Sequence, residues 1–244
     1  MRRSLLLPAL VVVPLLLAGQ GRRQPSSGMA DVPYDGDFTF SRVRYGSGGF
    51  RRGGGAWAHD YPRADQHLPQ ILQYVSTVPV NLGASNVFDL DDPEIFRHPV
   101  LYLSEPGFWR ITDAEAAGLR SYLLKGGFLI LDDFEEQQWY NMEEQLRRAM
   151  PEYELIEIGP EHPVFHSFFE LEDIYVPHPL VPVTPKYYGM FEKNDPTRRM
   201  LVLVNFNADL AEYWEWSAEG ILPVDLSNEA YKLGVNYLIY ALTH

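Results

Sequence analysis

Asp132 and Asp133 stand side by side where the apolar run 128–131 ends. Adjacent carboxylates at the end of a buried strand can hold a hard divalent cation, with Glu105 or Asp209 as a further ligand. They can equally work as an acid/base pair. The plainer use is structural, with one aspartate capping the next turn and the other facing water. Other candidate ligand contacts are Arg51 and Arg52 in a glycine-rich loop, then Trp57, His59, Asp60, Trp109, Asn207 and Asp209. A glycine loop with two arginines suits a phosphate or carboxylate. This loop nevertheless lacks the Lys-Ser/Thr ending of a phosphate loop and the spacing of a dinucleotide fingerprint. His162 and His166 are four apart, but Pro163 between them argues against a zinc pair on one helical face. No cysteine is present, so thiolate metal sites, disulfides and cysteine nucleophiles are excluded.

Elements must bring these residues together. The stretch 38–45 alternates apolar and polar residues and predicts a strand. Leu68, Ile71, Leu72 and Val75 form one face of a helix over 64–76. Residues 99–103 and 128–131 are continuous apolar runs, the pattern of parallel strands covered on both faces. Between them Thr112 and Glu115 have capping-box spacing, opening a helix that stops at Gly126-Gly127. A helix over 139–150, a strand over 153–158, a strand pair over 187–191 and 200–206, and a closing helix over 228–242 complete the order. That alternation predicts an α/β fold: a flavodoxin-like, doubly wound, mostly parallel sheet with helices on both faces. Ligands of such sheets bind at the carboxyl ends of the strands, which is where the candidate residues fall.

Composition bounds the setting. The 244 residues suffice for one domain, with no internal repeat or linker. Arg2 and Arg3 followed by an apolar run to Ala18 read as a signal peptide over 1–20, with 21–35 a flexible leader and 36–244 one domain. The expected location is therefore periplasmic or extracellular, and membrane attachment is expected only if the N-terminal segment stays uncleaved. Gln20 stands where a lipoprotein would need cysteine. The formal net charge is −13, and the first 28 residues hold four arginines and no acid. An acidic chain of this kind is not expected to bind nucleic acid. No cofactor is expected, apart from a possible divalent cation at Asp132 and Asp133.

Several motifs agree in order with one family. The stretch Leu119-Arg120-x-Tyr122-Leu123-x-Lys125-Gly126-Gly127 with the run to Asp133, the stretch Glu161-His162-Pro163-Val164-Phe165, the triplet Trp214-Glu215-Trp216, and the ending from Ala230 to His244 resemble the bacterial family called domain of unknown function 4159. That family is similar to the class I glutamine amidotransferase-like fold and to the trehalose-utilisation (ThuA-like) group. The resemblance implies a nucleophile elbow after the strand that follows Gly126-Gly127, and here Asp132-Asp133 occupies it. Cysteine-dependent glutamine hydrolysis is thereby excluded. The leading expectation is a non-catalytic module of the cell envelope that binds a protein or carbohydrate. The alternative is a carbohydrate-active or metal-assisted hydrolase using the strand-end carboxylates.

Overall fold

The computed structural model describes Met29 and residues 31–47 and 55–244. The expected signal segment and the pair Arg51 and Arg52 lie outside the described residues. In chain order the elements are β1 (Phe38–Val43), β2 (Gly46–Ser47), α1 (Arg63–Val75), β3 (Val80–Phe88), β4 (Val100–Ser104), β5 (Trp109–Arg110), α2 (Asp113–Leu124), β6 (Phe128–Asp132), α3 (Gln138–Ala149), β7 (Leu155–Ile158), β8 (Lys186–Phe191), β9 (Met200–Phe206), α4 (Leu210–Glu215) and α5 (Val224–Thr243). Seven strands form one sheet in the order β3-β1-β4-β6-β9-β8-β7. The first five run parallel, and β8 is antiparallel to both its neighbours. The small antiparallel pair β2–β5 stitches the loop after β1 to the loop after β4.

Alternation along the buried strands supplies a core on each face. Val100, Tyr102, Phe128 and Ile130 pack with Leu68 and Leu72 of α1, Trp214 of α4, and Leu233, Tyr237 and Leu238 of α5. Leu101, Leu103, Leu129 and Leu131 point the other way, to Leu119 and Leu123 of α2 and Met142 and Leu146 of α3. The α2 capping box forms as its spacing requires: Thr112 Oγ1 accepts from Glu115 N, and the Glu115 carboxylate accepts from Thr112 N. The helix ends before Gly126, whose φ of 114° favours glycine. Among the described residues no helix is long and apolar enough to cross a membrane.

Two expectations need correction. Strand β1 forms as expected and, although its residues alternate in polarity, all six are buried. Its polar residues are satisfied inside, Ser41 against His98 and Arg42 against Asp65. The leader is not free as far as residue 35. Asp31 Oδ1 accepts from Val87 N and Val32 N donates to Asn86 Oδ1, so the chain from residue 31 covers the edge strand β3. That strand itself escaped the sequence reading. Its run V-N-L-G-A-S-N-V-F has too many polar and small residues to read as buried.

Candidate functional site

Strands β1, β4, β6 and β9 all end at one edge of the sheet. Strand order reverses between β1 and β4, since the chain goes from β1 to β3 on one side and then to β4 on the other. Ligands of open parallel sheets bind outside such a reversal. His59 and Asp60 come from the connection after β1, Ser104 and Glu105 from the end of β4, Asp133 from the end of β6, Asp209 from the passage between β9 and α4, and Glu212 and Glu215 from α4 itself. His178 arrives from the connection between β7 and β8.

Buried Arg42 holds the first of these segments in place. Its Nη1 donates to the carbonyls of Trp57 (3.1 Å) and His59 (2.8 Å), while Nε and Nη2 grip Asp65. Asp65 also accepts from Ser85 Oγ at 2.6 Å. Both ends of this ion pair are fully buried. A pair so enclosed depends on having every donor matched.

The site's backbone is strained where its acids sit. Asp60 (φ 60°), Glu105 (φ 48°) and Asp133 (φ 63°) are all left-handed, as is Asn207 (φ 58°). Each non-glycine residue held there costs on the order of 1–3 kcal/mol, and such residues cluster at functional sites.

Asp132 and Asp133 do different things. Asp132 is wholly buried and accepts from Tyr102 Oη (2.7 Å), Asn205 Nδ2 (3.0 Å), Leu210 N (3.0 Å) and Ala211 N (3.3 Å). It therefore caps α4 and ties three strands to it, with no lone pair left facing outward for chemistry. Asp133 turns toward the candidate residues instead. Its Oδ2 accepts from Ser104 Oγ (3.1 Å) and from His59 Nδ1 (2.7 Å). The same His59 nitrogen lies 3.5 Å from Asp60 Oδ2 and 3.8 Å from Glu105 Oε1. Bonding to Asp133, helped by Asp60, pushes the imidazole up to about 12. The His59 side chain is 43% exposed, so it forms the rim.

Asp60 is the anomaly. It is 4% exposed, and neither carboxylate oxygen accepts a hydrogen bond. A buried carboxylate without donors is costly, and one in a native fold calls for a ligand. Its surroundings are acidic. Burial and one another's charge push Glu105 and Glu212 up to about 7. The same two causes raise Asp133, Glu135, Asp209 and Glu215. Burial works against the Asp60 charge, but His59 and Arg42 outweigh it and hold Asp60 below the usual carboxylate range. Seven carboxylates thus share the His59 imidazolium, with Arg63 beside Glu215 at the margin.

Among the described residues three sets of side chains bring ligand atoms within 4.8 Å of one another: His59, Asp60 and Asp133; Asp60, Glu212 and Glu215; and Asp133, His178 and Asp209. The third set fits a cation poorly. His178 Nδ1 accepts from Leu180 N, which leaves the proton on Nε2, the nitrogen that faces Glu135 at 4.0 Å. A ligating imidazole needs the reverse, with its second nitrogen donating. Asp209 Oδ1 is likewise taken by Glu212 N at 3.0 Å.

The residues expected from sequence therefore divide. His59, Asp60, Glu105, Asp133 and Asp209 converge. Trp57 is half-buried beside His59 in the chain. Trp109 is completely buried in the core and has no face for a ligand, because β5 folds it beneath the loop after β4. Asn207 is occupied in joining loops: its Oδ1 accepts from Glu136 N and its Nδ2 donates to Thr184 O. Asp132 is likewise withdrawn from the site. Sequence reading missed Glu212, Glu215, Ser104 and His178. The spacing Asp209-x-x-Glu212-x-x-Glu215 was a usable signal, since residues three apart share a helical face. The six-residue helix α4 that carries it was not foreseen.

The sequence from residue 39 to 242 matches the family model described as Domain of unknown function (DUF4159). The chain belongs to this family. No curated protein matches it. As a DUF4159 protein it is an α/β domain with a mostly parallel seven-stranded sheet flanked by helices.

Proposed function

We propose that the carboxyl ends of β1, β4 and β6 hold a divalent cation, bound by Asp60, Asp133 and His59, and that this centre belongs to an exported, metal-assisted hydrolase of the cell envelope. The observation that carries the reading is Asp60, a buried carboxylate with two bare oxygens among like charges. A cation would satisfy those oxygens and offset the surrounding charge together. It would also replace the His59 Nδ1 proton, leaving the imidazole as a ligand. One imidazole with carboxylates suits manganese, zinc or iron better than calcium. Bound there, such an ion would supply Lewis-acid chemistry for hydrolysis. Glu105, partly exposed at the rim and 3.8 Å from His59 Nδ1, would be the group to accept a proton from the attacking water. Glycoside cleavage by two carboxyls of one ligand set is the weaker version, since the ligand atoms within each set lie within 4.8 Å of one another and a sugar bond needs carboxyls about 5–9.5 Å apart.

Two features support the relation to the amidotransferase-like and ThuA-like proteins. The five parallel strands follow the order 2-1-3-4-5 in chain sequence, which is the flavodoxin-like order. Asp133, where the resemblance puts the nucleophile, keeps the left-handed backbone that a tight strand-end elbow requires. The second reading, a non-catalytic module for an envelope protein or a carbohydrate, is favoured by the capping roles of Asp132 and Asp209. It is also favoured by buried Phe134, which stacks on Trp139 in the loop after β6.

Calorimetric titration of the full chain with calcium, magnesium, manganese and zinc tests the proposal, beside Asp60→Asn and Asp133→Asn. Saturable binding of one of them, lost in both variants, is the expected result. No binding to the parent chain would overturn the metal reading and return the module reading to first place.

A further inference from the structure

We infer that the centre holds two cations rather than one, with Asp60 shared between them. The inference rests on the cation reading above and extends it with a second ligand set.

A carboxylate bridges two ions by giving one oxygen to each. Neither Asp60 oxygen accepts a hydrogen bond of good geometry among the described residues, its nearest contacts being His59 at 3.5 Å and the acids Glu212 and Glu215. Two different sets of ligand atoms converge on this one side chain. His59 and Asp133 make up the first with Asp60, and Glu212 and Glu215 make up the second. The second pair comes from α4, where a spacing of three puts both side chains on the same face. Glu212 is held ready by Trp216, whose Nε1 donates to Oε1 at 3.0 Å. The Glu212 carboxyl also faces Asp60, with Glu215 beside it. The neighbouring cation is directed elsewhere: Arg63 Nη1 pairs with Glu219 at 2.8 Å, and its guanidinium lies 5.0 Å from the centre of the Trp216 ring.

The two sets differ in chemistry. The first mixes nitrogen and oxygen donors, whereas the second is all carboxylate and suits a hard cation. Manganese fits both. Paired ions joined by a carboxylate sit about 3.5–4 Å apart and clamp the attacking and leaving oxygens of a hydrolytic displacement. One ion would leave Glu212 and Glu215 facing each other and Asp60 with no cation among them.

Manganese titration of the full chain, read by bound metal per chain and by electron paramagnetic resonance, decides the matter. The expected result is two ions per chain with an exchange-coupled spectrum. The Glu212→Gln/Glu215→Gln variant, which keeps an acceptor for Trp216, should bind one ion with an uncoupled spectrum. One uncoupled ion in the parent chain would overturn the second site and leave the first standing. No ion in the parent chain would overturn both. Two ions retained in the variant would overturn the assignment to Glu212 and Glu215. If the variant does not fold, the count and coupling in the parent chain still give the answer.

Discussion

Asp60 and Asp65 are five residues apart, of the same type and equally buried, yet they lie in opposite electrical settings. Asp65 receives Arg42 twice over and Ser85 once, and every nearby charge is balanced. Among the described residues Asp60 accepts no hydrogen bond, and apart from His59 Nδ1 at 3.5 Å its close neighbours are other acids. Buried charges that are fully matched lock a structure, and unmatched ones mark where the fold sacrifices stability for function. Arg42 links the two, since the same guanidinium that neutralises Asp65 carries the His59 carbonyl and so sets the position of the candidate ligands.

The largest effect should come from breaking the matched side. Arg42→Met leaves Asp65 buried with only Ser85, and unpairing a buried ion pair costs about 3–5 kcal/mol. Chemical denaturation should show that loss, with cation affinity falling in whatever fraction still folds. The next effect belongs to the unmatched side. Asp133→Asn should weaken manganese binding about 100-fold or more, beyond the range caused by removing an outer-shell partner. Asp132→Asn should lower the melting temperature through the lost α4 cap while leaving manganese affinity within a few-fold. Equal loss of binding in both variants would erase the distinction between the two aspartates.

A smaller effect concerns Asp60 itself. In cation-free buffer near neutral pH Asp60→Asn should destabilise the protein, though less than Arg42→Met does, because burial of the Asp60 carboxyl is outweighed by His59 and Arg42, which hold it below the usual carboxylate range. The corresponding change at Asp65 should destabilise it too. The smallest effect is in pH. Glu105 and Glu212 rise to about 7 in the fold, so the folded chain holds their protons more tightly than the unfolded chain does. Cation-free stability should therefore fall as pH rises from about 4 to about 7. His59, raised to about 12, adds stability that is fully present below its unfolded value near 6.5 and drains away as pH climbs toward 12. Saturating manganese should reduce the first of these slopes. Melting curves at pH 5 and pH 8, with and without the metal, measure both.

The framework was legible in sequence because its signals are local. The apolar runs ending at Ser104 and Asp132, the Thr112–Glu115 capping box and the Gly126 stop each act within a few residues. Strand β3 was hidden because its polar residues are satisfied at long range, Ser85 by Asp65 and Asn86 by Val32. Helix α4 was hidden because it spans six residues and is capped by Asp132, 78 positions away from Leu210. The site was half legible for the same reason. The strand-end rule picked out Asp133, Glu105, His59, Asp60 and Asp209 as neighbours. Which of two adjacent aspartates turns inward as a cap, and which aspartate is left without a donor, depends on side chains far apart in sequence. Trp109 looked available because it lies in a strand-end loop, and only the β2–β5 pairing shows that it is folded into the core.

The most direct test is anomalous diffraction at the manganese edge from crystals of the full chain grown with the metal. The account predicts a peak within bonding distance of Asp60, Asp133 and His59. A map with no peak there, and with an ordered donor such as water or a protonated carboxyl satisfying the Asp60 oxygens, would contradict it.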